Sequence, residues 1–136
     1  EEPEELVGET PGGGEIVLVV EDDPGVRGVV ANMVESLGYQ VLEASDGSEA
    51  LALLETGETV DLILTDVVMP GAVDGWKLAE SVWARWPKTR VLLMTGYSEN
   101  VLVRHATLNE RTQVISKPYR RSEIAKRMRE VLDVPA

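Results

Sequence analysis

The chain has 136 residues, the size of one domain: enough to bury a single core but not two. It has no cysteine, which removes disulfides and thiolate zinc sites and suits a reducing compartment, and its lone histidine, His105, cannot build a histidine metal centre. A formal net charge of −11 opposes binding to phosphate backbones, and no apolar run approaches the roughly 20 residues of a bilayer span. Neither nucleic acid nor a membrane is therefore expected as a direct partner, and the expected location is cytoplasmic.

Residues 1–15 hold six glutamates, no basic residue, Pro3, Pro11 and the run Gly12-Gly13-Gly14, which reads as a flexible linker or tail. Setting these aside leaves 13 basic against 18 acidic residues, so the folded unit expected over 16–134 carries only −5. Ile16–Val20 is rich in β-branched residues and suits a strand buried on both faces. Val26, Val29, Val30, Met33, Val34 and Leu37 then recur at helical spacing, with Asp23-Pro24 as N-cap and first residue and Gly38 beyond the end.

The alternation repeats with a strand over Gln40–Ala44 and a helix from Ser48 to Glu55, then a strand over Leu62–Thr65 and a helix from Gly75 to Trp86. Gly57 and Pro87 end those two helices. Val91–Met94, a helix over Glu99–Leu108, Gln113–Ser116 and a last helix over Arg121–Leu132 complete the series. Strands alternating with helices imply an α/β, doubly wound parallel sheet, flavodoxin-like (βα)₅, in the strand order 2-1-3-4-5. Trp76, Trp83 and Trp86 share one helix, where packing between core and surface is favoured over an aromatic ligand box.

In such a sheet the ligand site lies beyond the carboxyl ends of the strands. Glu21, Asp22 and Asp23 follow the first strand, Asp66 the third, Thr95 the fourth, and Lys117-Pro118 the fifth. Singly, each is as well explained by a cap, a turn or a solvated charge. Together they offer hard oxygen ligands for Mg²⁺, a carboxylate nucleophile, and a hydroxyl and an ammonium to meet phosphoryl oxygens.

The runs Val19-Val20-Glu21-Asp22-Asp23-Pro24, Leu64-Thr65-Asp66-Val67-Val68-Met69-Pro70, Met94-Thr95-Gly96 and Ser116-Lys117-Pro118-Tyr119 resemble response-regulator receiver domains over about Ile16 to Leu132. The resemblance implies Asp66 as phosphoacceptor, Asp22 and Asp66 as Mg²⁺ ligands, Val68 as a backbone carbonyl ligand, and Glu21 acting through water. It implies that Thr95 and Lys117 bind the phosphoryl group. Glu21 stands where the family more often has Asp, and Gly71–Gly75 makes the loop after Pro70 one residue longer than the commonest form.

The expected partner is a histidine kinase dimerisation domain or a histidine phosphotransfer protein. Such a domain promotes its own phosphorylation and dephosphorylation without being a turnover enzyme. The acidic, Pro/Gly-rich start and the sequence around Asp66 and Thr95 are similar to receivers fused to hybrid sensor histidine kinases, with a stand-alone phosphorelay regulator as the other context and output expected elsewhere. Two rival readings are a haloacid-dehalogenase-like phosphatase, which wants Asp where Val68 stands, and a docking module of the same fold that is never phosphorylated.

Val68 has no polar group to orient an attacking water, and Tyr97 is placed to shield the phosphoryl group. The acyl phosphate is therefore expected to persist. A half-life of seconds in a phosphate-release assay, or no faster loss in Val68→Asn, would count against this.

Overall fold

The computed structural model describes residues 14–67, 71, 73–95, 112–116 and 121–133, with the backbone alone for Thr95 and 112–116. The expected fourth helix, the site residues Val68 and Lys117, Tyr97, and the tail up to Gly13 lie outside the described residues. Five strands form one sheet: β1 (Ile16–Val20), β2 (Gln40–Ala44), β3 (Leu62–Asp66), β4 (Arg90–Thr95) and β5 (Thr112–Ser116). Every pair is parallel and the order is β2-β1-β3-β4-β5, the flavodoxin-like arrangement. Helices α1 (Pro24–Ser36), α2 (Gly47–Glu55), α3 (Gly75–Arg85) and a C-terminal helix (Arg121–Leu132) flank it.

The central strands are apolar at consecutive positions because both sheet faces are covered. Leu18, Val20, Ile63, Val91 and Leu93 pack with Ala50 and Leu54 of α2 and Leu78 and Val82 of α3. The alternate residues Val17, Val19, Leu62, Leu64, Leu92 and Met94 pack with Val30 and Val34 of α1 and Ile124, Met128 and Val131 of the C-terminal helix. Trp76 and Trp83 of α3 and Trp86, which caps it, are partly buried and pack against the margin of the first cluster. Trp76 and Trp83 meet edge to face at 5.4 Å, and the Arg85 guanidinium lies 4.3 Å over the Trp86 ring. Among the described residues no helix is long and apolar enough to cross a membrane.

Each of α1, α2 and α3 begins at an aspartate that accepts amide hydrogens from its first turn. Asp23 takes Gly25 N–H at 2.9 Å and Val26 N–H at 3.2 Å, with Pro24 opening the helix as expected. Gly38 leaves α1 at φ 100° and Gly57 follows α2 at φ 90°, both in the left-handed region that favours glycine.

The apolar stripe read for α1 needs a correction. Val26 is 41 % exposed and Val29 62 % exposed, whereas Ala31 is buried. At about 100° per residue, Val29 stands off the flank of the stripe formed by Val30, Val34 and Leu37. Val26 lies in the first turn, next to the acidic edge.

Two glycines set how the α2 and α3 starts meet the sheet. A Cβ on Gly75 would overlap the Asp66 carbonyl oxygen and come within 2.8 Å of Val67 Cα. The Gly75 N–H donates to the Val67 carbonyl at 2.8 Å, so α3 starts in direct contact with the end of β3. A Cβ on Gly47 would overlap the Val73 carbonyl oxygen, so the loop entering α3 is seated on the first residue of α2.

At the opposite edge of the sheet, Arg129 of the C-terminal helix donates to Glu15 at 3.1 Å, to the Tyr39 hydroxyl at 3.5 Å and to Asp133 at 2.7 Å. Glu15, compositionally part of the tail, is thereby joined to the folded unit, and its carbonyl accepts the Gln40 N–H at 3.0 Å. Burial pushes the Tyr39 phenol above its ordinary value, opposed by the Arg129 guanidinium.

Three outcomes follow from this packing. Gly75→Ala is expected to lower stability by about 1–3 kcal/mol through overpacking, read as a lower urea midpoint. Gly28→Ala, where a Cβ meets nothing within 4 Å inside α1, is expected to raise it by up to about 1 kcal/mol. Because folded Tyr39 keeps its proton where the unfolded chain loses it near pH 10, its contribution is complete below about pH 10 and is lost as pH rises. Tyr39→Phe should therefore show a shallower fall in urea midpoint between pH 9 and pH 11 than the parent; parallel slopes would contradict this.

Candidate functional site

Parallel pairing brings the acidic residues together. In the β1–β3 register Val19 lies opposite Leu64 and Val20 opposite Thr65, so one further step sets Glu21 beside Asp66. Adjacent strands are about 4.8 Å apart, and the carboxylates of Glu21, Asp22 and Asp66 each offer an oxygen within 4.8 Å of the others. Glu21 is 4 % exposed and Asp66 7 %, while Asp22 faces solvent. Asp23, the third member of the acidic run, is spent as the α1 cap and contributes its N–H to Glu21 Oε2 at 3.2 Å.

The backbone around these groups is tied to neighbouring strands. Glu21 N–H donates to the Ala44 carbonyl at the end of β2, and Val67 N–H donates to the Met94 carbonyl of β4, both at 3.1 Å. The buried Thr65 hydroxyl donates to the Asp66 carbonyl at 3.0 Å. Arg27 of α1 donates to the Glu21 carbonyl at 2.8 Å. None of Thr65, Arg27 or Gly75 was singled out from sequence, where each looks like an ordinary strand, helix or cap residue.

Thr95 ends β4, paired with Ser116 at the end of β5 and one residue past the Met94 that pairs with Asp66. The sheet therefore carries Asp66, Thr95 and Ser116 at one edge, and Lys117 directly follows Ser116 in the chain. Glu21, Asp22 and Asp66 are brought together as expected. The Thr95 side chain, Val68 and Lys117 lie outside the described residues.

The donor set suits a hard divalent cation. Two ionised carboxylates with oxygens within 4.8 Å of each other repel by roughly 3 kcal/mol or more at an effective dielectric of about 20, and two of these three are buried. A small divalent ion relieves that repulsion, and all the donors are oxygens, as Mg²⁺ prefers. One of the three close carboxylates, that of Asp22, belongs to an exposed residue.

The family model described as "Response regulator receiver domain" matches residues 17–129. The sensor kinase CckA of Brucella abortus is 33 % identical over 122 residues, covering 89 % of this chain and 13 % of that protein. The sporulation initiation phosphotransferase F of Bacillus subtilis is 30 % identical over 110 residues, covering 81 % of this chain and 87 % of that protein. The receiver domain of a sensor histidine kinase from Pseudomonas aeruginosa PAO1, solved with a magnesium ion coordinated in the active site cleft, superposes with a TM-score of 0.76 at 25 % identity, covering 90 % of this chain and all of that one. The chain thus spans 13 % of the length of the sensor kinase and 87 % of that of the phosphotransferase. With its sheet order, its acidic edge and these likenesses in agreement, the chain belongs to the response regulator receiver domain family of two-component phosphorelay signalling.

Proposed function

We propose that Asp66 is the phosphoacceptor and that Asp22, Asp66, the Val68 carbonyl and, through water, Glu21 hold Mg²⁺ beside it. The convergence of the Glu21, Asp22 and Asp66 carboxylates within 4.8 Å carries this reading. The ion supplies positive charge against the phosphoryl oxygens when bound. An Asp66 oxygen attacks the phosphorus of a phosphohistidine, the P–N bond breaks, and the imidazole nitrogen takes up a proton as the acyl phosphate forms. The Asp66 carbonyl accepts the Thr65 hydroxyl and the next carbonyl, that of Val67, accepts the Gly75 N–H, so the Asp66 side chain extends from a fixed backbone. Thr95 and Lys117, at the ends of the two neighbouring strands, are proposed to meet the phosphoryl oxygens.

The donor is proposed to be a histidine kinase dimerisation domain or a histidine phosphotransfer protein, encountered in the cytoplasm. The likeness to a sensor kinase receiver favours a place within, or downstream of, a hybrid kinase. The likeness to a phosphotransferase favours a relay step.

Incubation with a labelled phosphohistidine donor and Mg²⁺ is expected to place one acid-stable, base-labile phosphoryl group on the chain, absent in Asp66→Asn and blocked by a chelator. A label persisting in Asp66→Asn would overturn the assignment. Turnover of a phosphoester would indicate a phosphatase, and no transfer at all a docking module. In a metal titration, Asp22→Ala should lose more Mg²⁺ affinity than Glu21→Ala.

A further inference from the structure

The acidic turn is gripped by a guanidinium that the transfer chemistry leaves unused. Arg27 lies in the second turn of α1, with its side chain only 21 % exposed. Its Nη1 donates to the Glu21 carbonyl at 2.8 Å, and its Nε donates to Glu43 Oε1 on β2 at 3.2 Å. Glu21 is also held from its other side, where its N–H donates to the Ala44 carbonyl at 3.1 Å. Both peptide planes flanking the Glu21 Cα are therefore anchored, and both anchors lead to β2.

Fixing both planes fixes the direction in which Cβ leaves the backbone. That matters more for a glutamate than for an aspartate, because the extra methylene adds a torsion whose freedom must be lost when the carboxylate is aimed. A planar guanidinium can serve a carbonyl and a carboxylate at once with little loss of freedom per bond, which an ammonium cannot. The Glu43 end of the contact is half exposed and contributes little by itself. Its role is to orient the arginine whose other end meets Glu21.

We propose that Arg27 is a positioning residue for the acidic trio: its bond to the Glu21 carbonyl aims the Glu21 carboxylate toward Asp22 and Asp66 and so sets Mg²⁺ affinity. The proposal rests on the metal-binding reading of this edge. Groups that orient metal ligands typically change affinity by about 10- to 100-fold.

The test is a calorimetric Mg²⁺ titration of the chain, of Arg27→Gln, Arg27→Lys and Glu21→Ala, and of the two Arg27 variants in the Glu21→Ala background, with urea unfolding of each. Arg27→Gln is expected to weaken binding about tenfold and Arg27→Lys by less. In the Glu21→Ala background either change should have less than about a twofold further effect, since the carboxylate being aimed is gone. Unchanged affinity in Arg27→Gln, or the same loss in both backgrounds, overturns the proposal and assigns Arg27 to stability alone. Should Arg27→Gln fail to fold, the same cycle with Arg27→Lys decides. Binding that requires Asp22 and Asp66 but ignores Arg27 overturns this inference and leaves the phosphoacceptor reading standing. A chain that binds no Mg²⁺, or binds it equally in Asp22→Ala and Asp66→Asn, overturns both.

Discussion

A like-charge contact dictates much of the rest of this molecule. Two buried carboxylates, Glu21 and Asp66, are set side by side by the parallel register of β1 and β3. Carboxylates this close repel and would separate unless their backbones were fixed. The pair is held because β1 and β3 are adjacent interior strands, apolar on both faces and covered by four described helices, so displacing either carboxylate means disturbing both halves of the core. The stability stored in that core is what lets a repulsive, cation-seeking edge persist as a site.

The elements around the edge are arranged to hold backbone and leave carboxylates available. Main-chain groups of Glu21 and Val67 are bonded to the neighbouring strands β2 and β4, and Asp66's carbonyl is met by the Thr65 hydroxyl and closely approached by Gly75. Asp23 is diverted to capping α1, which leaves Glu21 and Asp22 as the two acids of the run facing Asp66. Gly75 against Asp66 and Gly47 against Val73 form a chain of close contacts from β3 through the long loop to α2. A change at Asp66 is therefore mechanically adjacent to the α2 and α3 starts.

The opposite edge has a different task. There Arg129 gathers Glu15, Tyr39 and Asp133, drawing together the entry to β1, the entry to β2 and the end of the C-terminal helix. With Asp61 accepting the Ile16 N–H at 2.8 Å, the amino ends of the central strands are closed by polar contacts distant from the chemistry. The polar contacts that close the amino ends of the strands thus lie apart from the acidic edge at their carboxyl ends.

Residue order alone determined the (βα)₅ alternation, because a run that must be buried on both faces reads differently from a helix with one apolar stripe. It also determined which ends of the strands carry acids, since Glu21, Asp22 and Asp66 fall just where apolar runs stop. Helix caps were equally legible at Asp23-Pro24, because capping is a local hydrogen-bond pattern. What needed the tertiary structure was anything that depends on which side chains meet across elements. Val26 and Val29 fit a helical stripe by spacing, yet the tilt and placement of α1 on the sheet leave them exposed. Spacing places helix starts at Ser48 and Gly75, but nothing local marks Gly47 or Gly75 as points of close contact; the backbones that approach them do so. Nothing in the local sequence marks Arg27, and only the packing of α1 beside the end of β2 brings its guanidinium to the Glu21 carbonyl. Local spacing encodes where an element lies and which face it offers; contacts between residues distant in the chain arise only when register and packing bring those faces together.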